Sequence, residues 1–132
     1  MSYRQHAGTP LLVLSRSRYY NEVLYARDAA TGAELWELPV PGAKRLLAVG
    51  GERVYVLFGG GALASVDPTV GRQNWRASLP IDLDQELDQI QEIGEIVLAT
   101  FKTSSGIQLF ALERTNGAIR WQDRALSVLV PR

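Results

Sequence analysis

The stretch Ala26-Arg27-Asp28-Ala29-Ala30-Thr31-Gly32-Ala33-Glu34-Leu35-Trp36 decides how this chain is read. Its skeleton is an acid, a glycine four residues on and a tryptophan four further. The skeleton returns at Asp67, Gly71 and Trp75, and again at Glu113, Gly117 and Trp121, which accounts for every tryptophan in the chain. A small residue stands two positions before each acid: Ala26, Ser65 and Ala111. Self-similarity at a spacing of about 40 residues is the signature of solenoids, propellers and arrays.

Working outward, Leu11 to Trp36 lies over Ile96 to Trp121 with no gap. The middle copy, Val54 to Trp75, is shorter, and its shortfall falls where Gly59-Gly60-Gly61 replaces Arg16 to Asn21 and Lys102 to Gly106. Variation confined to one internal point predicts a loop there. Leu11–Leu14, Val54–Phe58 and Ile96–Ala99 are short apolar runs between turn formers and read as strands. A second strand is expected over Val23–Ala26, Ala62–Val66 and Gln108–Leu112, and a third carries each tryptophan. A fourth precedes the second and third copies, at Arg45–Val49 before Gly50-Gly51 and at Leu87–Ile93 before Gly94. The glycine ending each acid-to-glycine turn suits a position of positive φ, and Asp or Thr can bond the turn's own amides. Each copy therefore reads as a four-stranded antiparallel meander, the size of one propeller blade.

The Ala26–Trp36 stretch resembles the A-x-D-x-x-T-G-x-x-x-W motif of PQQ-like β-propeller repeats, in the quinoprotein dehydrogenase-like superfamily. The first copy matches every named position; Ser65 and Val70 replace Ala and Thr in the second, Glu113 and Asn116 replace Asp and Thr in the third. The resemblance covers roughly residues 11 to 125 and implies an all-β fold. It also implies a structural role for the motif residues Ala26, Asp28, Thr31, Gly32, Trp36, Ser65, Asp67, Gly71, Trp75, Ala111, Glu113, Gly117 and Trp121. Each indole is expected to dock against its own small residue and against the glycine turn of the next repeat. The more complete first motif predicts that Trp36 is held more firmly than Trp75. The organisation expected is a polar leader at 1–10 and a three-repeat module at 11–128, with blades about 11–40, 43–79 and 86–126. Leu129-Val130-Pro131-Arg132 has the form that thrombin-type cleavage of an appended tag leaves, so the native sequence is expected to end near Val128 or to continue beyond it.

With 46% hydrophobic residues in 132, the chain has enough apolar surface for one ordinary core. Lys+Arg 14 against Asp+Glu 14 leaves no basic stripe of the kind nucleic acid requires. Arg16, Arg18, Lys44 and Arg45 are read as solvated positions. The absence of cysteine removes disulfides and thiolate metal sites. The opening MSYRQHAGTP has no apolar signal core and no apolar run is long enough to span a bilayer, so no membrane insertion is expected. The sequence itself fixes no compartment; the family resemblance leans extracytoplasmic.

No catalytic constellation emerges. His6, the only histidine, lies in the polar leader, where a surface residue is the simpler reading than a general base. Asp82, Asp84 and Glu86 have the look of a cation loop, but Leu87 stands where an EF-hand needs glycine, so an acidic linker is expected and no metal. Gly59-Gly60-Gly61 lacks the Lys-Ser/Thr and helix of a phosphate loop and reads as a hairpin. Tyr19 and Tyr20, at the first hairpin's tip, are read as a partner contact, the alternative being that they cover a blade edge. The quinoprotein enzymes resemble this chain in blade motif only, and their cation-binding residues find no matching motif here. The function expected is a non-catalytic protein-interaction or scaffold module without cofactor. Alternatives are a small-ligand sensor with its site at the propeller channel, or a fragment of a longer propeller. Met1–Pro10 contains no apolar run, so the first blade is expected to lack its leading strand, while Leu126–Val130 is expected to begin a strand without a blade. Together these predict a homodimer of six blades.

Overall fold

The structure is a computed structural model that describes residues 11–18, 21–49, 53–81 and 85–131. Among them the chain forms strands and no helix. The first sheet holds β1 (Leu11–Arg18), β2 (Asn21–Asp28) and β3 (Glu34–Pro39). The second holds β4 (Ala43–Val49), β5 (Arg53–Phe58), β6 (Ala62–Asp67) and β7 (Arg72–Ser78), and the third β8 (Glu86–Ile93), β9 (Ile96–Thr103), β10 (Gly106–Glu113) and β11 (Ile119–Ala125). Within each sheet every strand pairs antiparallel with its neighbour in sequence, which makes three meanders in a row. The expected all-β blades are there, and the first sheet has three strands among the described residues.

Side chains alternate across a strand, and the middle sheet uses both faces. Val54, Val56 and Phe58 of β5, with Ala62, Ala64 and Val66 of β6, share a core with Leu24, Val40, Trp36 and Leu38 of the first repeat. Tyr55, Leu57 and Leu63 turn the other way, into a second core with Leu87, Ile90, Val97, Ala99, Phe101, Phe110 and Leu112 of the third sheet. Burial on both faces explains why β5 reads as a continuous apolar run instead of an alternating one. Phe101 and Phe110 meet edge to face at 5.9 Å in that second core.

Two expectations about strand ends are corrected. Lys102–Gly106 is not a loop: β9 and β10 run on to Thr103 and Gly106 and are joined at Ser104-Ser105, where the Thr103 hydroxyl accepts the Ser105 amide and donates to the Gly106 carbonyl. Likewise β1 continues to Arg18. The copies differ in the length of the hairpin arms, eight residues in β1 and β9 against six in β5, because pairing extends as long as both arms can satisfy each other's backbone groups. Leu126–Val130 forms no strand and pairs with none of the described strands; Leu126 and Leu129 stand 88% and 87% exposed. Tyr19, Tyr20, His6, Asp82 and Asp84 lie outside the described residues.

Candidate functional site: the tryptophan-to-turn contacts between sheets

Each tryptophan sits directly across the ladder from the small residue of its own motif, in the pairs Ala26 with Trp36, Ser65 with Trp75 and Ala111 with Trp121. Ala26, Ser65 and Ala111 are fully buried. Immediately after each of them the register slips, between Ala26 and Arg27, Ser65 and Val66, Ala111 and Leu112. A bulge at the same place in all three copies adds local twist, where each strand runs into its acid-to-glycine turn.

The turns follow from the motif residues. The amides of Gly32, Gly71 and Gly117 bond back to the carbonyls of Asp28, Asp67 and Glu113 at 2.7, 2.9 and 2.8 Å, and the three glycines take φ of 79°, 70° and 77°, which side-chain-bearing residues resist. Asp28 Oδ1 accepts the Ala30 and Thr31 amides at 2.8 and 3.3 Å, and Asp67 Oδ1 accepts the amide and hydroxyl of Thr69. Thr31 Oγ1 accepts the Ala33 amide at 3.2 Å; in the third copy Asn116 Oδ1 takes the Ala118 amide at 2.9 Å, so the Thr-to-Asn change keeps the bond. Glu113 is longer than Asp and leaves the turn amides to pair with Arg120. Val70, in the Thr position of the second copy, has no polar atom to offer; Thr69 supplies the turn's hydroxyl instead.

The indoles reach forward onto the next turn. Trp36 lies so close over Gly71 that a Cβ there would collide with its ring, and its Nε1–H donates to the Pro68 carbonyl at 2.8 Å. Trp75 repeats the arrangement on Gly117, donating to the Arg114 carbonyl at 2.8 Å. The depth of burial runs against the expectation that Trp36 is the more firmly held. Trp75 is 6% exposed and also meets Tyr55 at 6.0 Å, whereas Trp36 is only partly buried. What buries an indole is the neighbouring sheet, and the completeness of its own motif does not decide it. Trp121, the last of the three, is 46% exposed.

Polar contacts between the second and third sheets were not expected from the sequence. The Tyr55 hydroxyl donates to Glu92 Oε2 at 2.6 Å, and Arg53 Nη1 approaches the same oxygen at 3.5 Å. Burial first, and then this hydrogen bond, pushes the Tyr55 phenol above its ordinary range. Arg45 donates to the Leu87 carbonyl at 2.6 Å. Arg16 is likewise more than a solvated cation, for it bonds Glu37 at 2.7 Å and stacks 4.1 Å from the Tyr25 ring. The signal available was positional. Tyr55 pairs with Ser65 as Val13 does with Ala26 and Leu98 with Ala111, so a hydroxyl appears in an otherwise apolar column.

A groove of about 310 Å³ opens between the first two sheets, lined by Ser15, Arg16, Ser17, Glu22, Lys44 and Arg45 among others. Its polar groups are largely engaged within the chain: Arg16 with Glu37, Arg45 with Leu87, and Glu22 Oε1 accepting the Gly42 amide. Among the described residues no three His, Cys, Asp or Glu side chains gather as metal ligands would, and no helix is long and apolar enough to cross a membrane.

Consecutive antiparallel meanders, one of three described strands and two of four, stacked face to face and locked by a tryptophan on the next glycine turn, define blades of a β-propeller with PQQ-like repeats. The chain belongs to the family described as outer membrane protein assembly factor BamB, whose model matches residues 8–128. No curated protein sequence matches it. Among solved structures it is similar to BamB from Moraxella catarrhalis, at 23% identity and TM-score 0.63 over 86% of this chain and 34% of that one. It is also similar to a europium-containing methanol dehydrogenase, at 13% identity and TM-score 0.62 over 86% of this chain and 23% of the enzyme. A quinohemoprotein alcohol dehydrogenase from Comamonas testosteroni gives 16% identity and TM-score 0.56 over 85% and 19%. The chain thus spans about a third of the BamB structure and about a fifth of these enzymes, and the likeness to them is one of fold.

Proposed function

We propose that this chain is a non-catalytic protein-interaction module, a run of BamB-like blades that offers its rims and outer faces to other proteins. The observation that carries the reading is the family match over residues 8–128 to an assembly factor. The repeat chemistry supports it. The Trp, Gly and acid positions that mark the family are spent on joining Trp36 and Trp75 to the next sheet and on closing the turns, which builds a rigid scaffold and leaves recognition to exposed loops. We propose that such a scaffold works outside the cytoplasm, the side toward which the family resemblance leans.

The test is site-specific photo-crosslinking in cells, with the probe at exposed Val70 and at Ser105. Crosslinks from one position to a defined protein, abolished when that partner is deleted, are the expected result. A dye-linked dehydrogenase assay with added quinone and divalent or lanthanide cation supplies the opposing outcome. Turnover, or a rise in melting temperature that saturates with quinone, overturns the non-catalytic reading in favour of a cofactor-binding one.

A further inference from the structure

The two joints between sheets use the same positions for different chemistry. On the turn side of the joint between the second and third sheets, Arg53, Asp67, Asn74, Arg114 and Thr115 line one pocket of about 350 Å³. The repeat gives each of them a counterpart at the first joint. Arg53 lies one residue before Val54, the partner of Val66, which sets it across from Asp67 as Leu11 lies across from Asp28. Asn74 precedes its tryptophan as Leu35 does, and Arg114 follows its turn's acid as Pro68 does. Leucine, leucine and proline serve the first joint, so arginine, asparagine and arginine are not what the fold demands of the second.

Arg114 is the group left open. Its Nε is buried without a hydrogen-bond partner, and among the described residues no carboxylate pairs with its guanidinium. Buried donors are ordinarily satisfied, so an open one at a pocket points to a group that arrives from outside. The other charges nearby limit what that group is. Arg53 Nη1 stands 3.5 Å from Glu92 Oε2, which also accepts the Tyr55 hydroxyl. Asp67 puts a carboxylate on the pocket wall, with Oδ1 held by the amide and hydroxyl of Thr69, and Glu113 is paired with Arg120. Two guanidinium groups against Asp67 and Glu92 leave no general positive field, and a dianion would meet repulsion from Asp67. One carboxylate is what a single guanidinium fork takes, in two parallel hydrogen bonds. The rest of the wall suits hydroxyl groups: Asp67 accepts from them, while the Asn74 amide and Thr115 hydroxyl both donate and accept. We propose that this pocket binds a small polyhydroxylated monocarboxylate, of the sugar-acid class, with its carboxylate on Arg114 and its hydroxyls against Asp67, Asn74 and Thr115. Its volume lies within the roughly 300–1,000 Å³ of small-molecule sites. The site lies between two four-stranded sheets and needs no partner protein, so it goes beyond the scaffold reading and stands or falls apart from it.

Isothermal titration calorimetry and thermal unfolding of the 132-residue chain test it, with gluconate as the probe and acetate, glucose and inorganic phosphate as comparisons at one ionic strength. Gluconate is expected to bind one to one and to raise the melting temperature in a saturating way. Acetate lacks the hydroxyls and glucose the charge, and each binds at least about tenfold more weakly, the scale of losing hydrogen bonds to a charged group. Arg114→Gln keeps the backbone amide that donates to the Glu95 carbonyl and loses at least about tenfold in affinity for gluconate. Without ligand its melting temperature is not lowered, because the Nε it gives up has no partner in the chain; loss of a structural arginine would lower it. Thr115→Val, at an exposed position, weakens gluconate by roughly fivefold, one hydrogen bond's worth, and circular dichroism confirms that both variants are folded. The assignment is overturned by a wild-type chain that shows no saturable response to gluconate, by phosphate binding as tightly, or by variants that bind gluconate undiminished. It fails equally if Arg114→Gln without ligand melts well below the wild type.

Discussion

Replacing Trp75 by alanine removes the side chain on which the second and third sheets are hinged. The indole is 6% exposed, covers Gly117, donates to the Arg114 carbonyl and packs beside Tyr55. Truncating a buried tryptophan costs about 3–5 kcal/mol through lost transfer energy and the cavity left behind. Stranding a carbonyl that loses its donor adds about 1 kcal/mol or more, so a loss near the top of that range is expected. Against a total stability of roughly 5–15 kcal/mol for a domain, this is a large fraction. Trp121→Ala, made on a half-exposed indole, should cost about 1 kcal/mol or less. The assay is urea unfolding followed by far-ultraviolet circular dichroism, since fluorescence would report the deleted group itself. Protein is kept dilute enough that association does not contribute. If the two midpoints differ by no more than experimental error, the account of the indoles as inter-sheet locks is wrong.

Gly117→Asn should destabilise by about 2 kcal/mol or more because its Cβ meets the Trp75 ring, while Gly94→Asn, at φ 60° with open space around it, should stay within about 0.5 kcal/mol; chemical denaturation of both compares crowding with backbone strain directly. Tyr55 keeps its proton in the folded chain beyond the pH at which it would lose it unfolded, so its contribution is fully present below the ordinary tyrosine pKa of about 10 and declines as pH rises above that. Melting curves of wild type and Tyr55→Phe should therefore converge through the alkaline range, and parallel curves would contradict the assignment. Far-ultraviolet circular dichroism of the wild-type chain should show β structure without a helical component, and a helical fraction near the globular average of about a third would refute the fold.

The repeat was legible because its residues answer local demands. A glycine at positive φ, an acid bonding its own turn and a tryptophan opposite an alanine or serine are needed wherever this meander is built, whatever surrounds it. Strand existence came through for the same reason. What did not come through depends on neighbours distant in sequence. Nothing in the second motif's own letters announces that Trp75 is buried more deeply than Trp36, because Gly117 and Tyr55 do the burying. The bulge after Ala26, Ser65 and Ala111 leaves no compositional mark, and the bond from Arg45 to Leu87 joins strands of different sheets. Leu126–Val130 failed as a strand for the reverse reason: its letters suit extended pairing, and pairing needs a second strand.

Trp36 and Trp75 both reach toward the repeat that follows, not the one before. The stack therefore has a direction, and its two ends are chemically unequal. A copied repeat brings its own receiving turn for the indole of the repeat before it, so a lineage of such repeats can lengthen by simple copying. Arg16 and Arg27 of the first sheet stand where Phe101 and Leu112 stand in the third, so copying keeps the joint while each repeat's face is free to diverge.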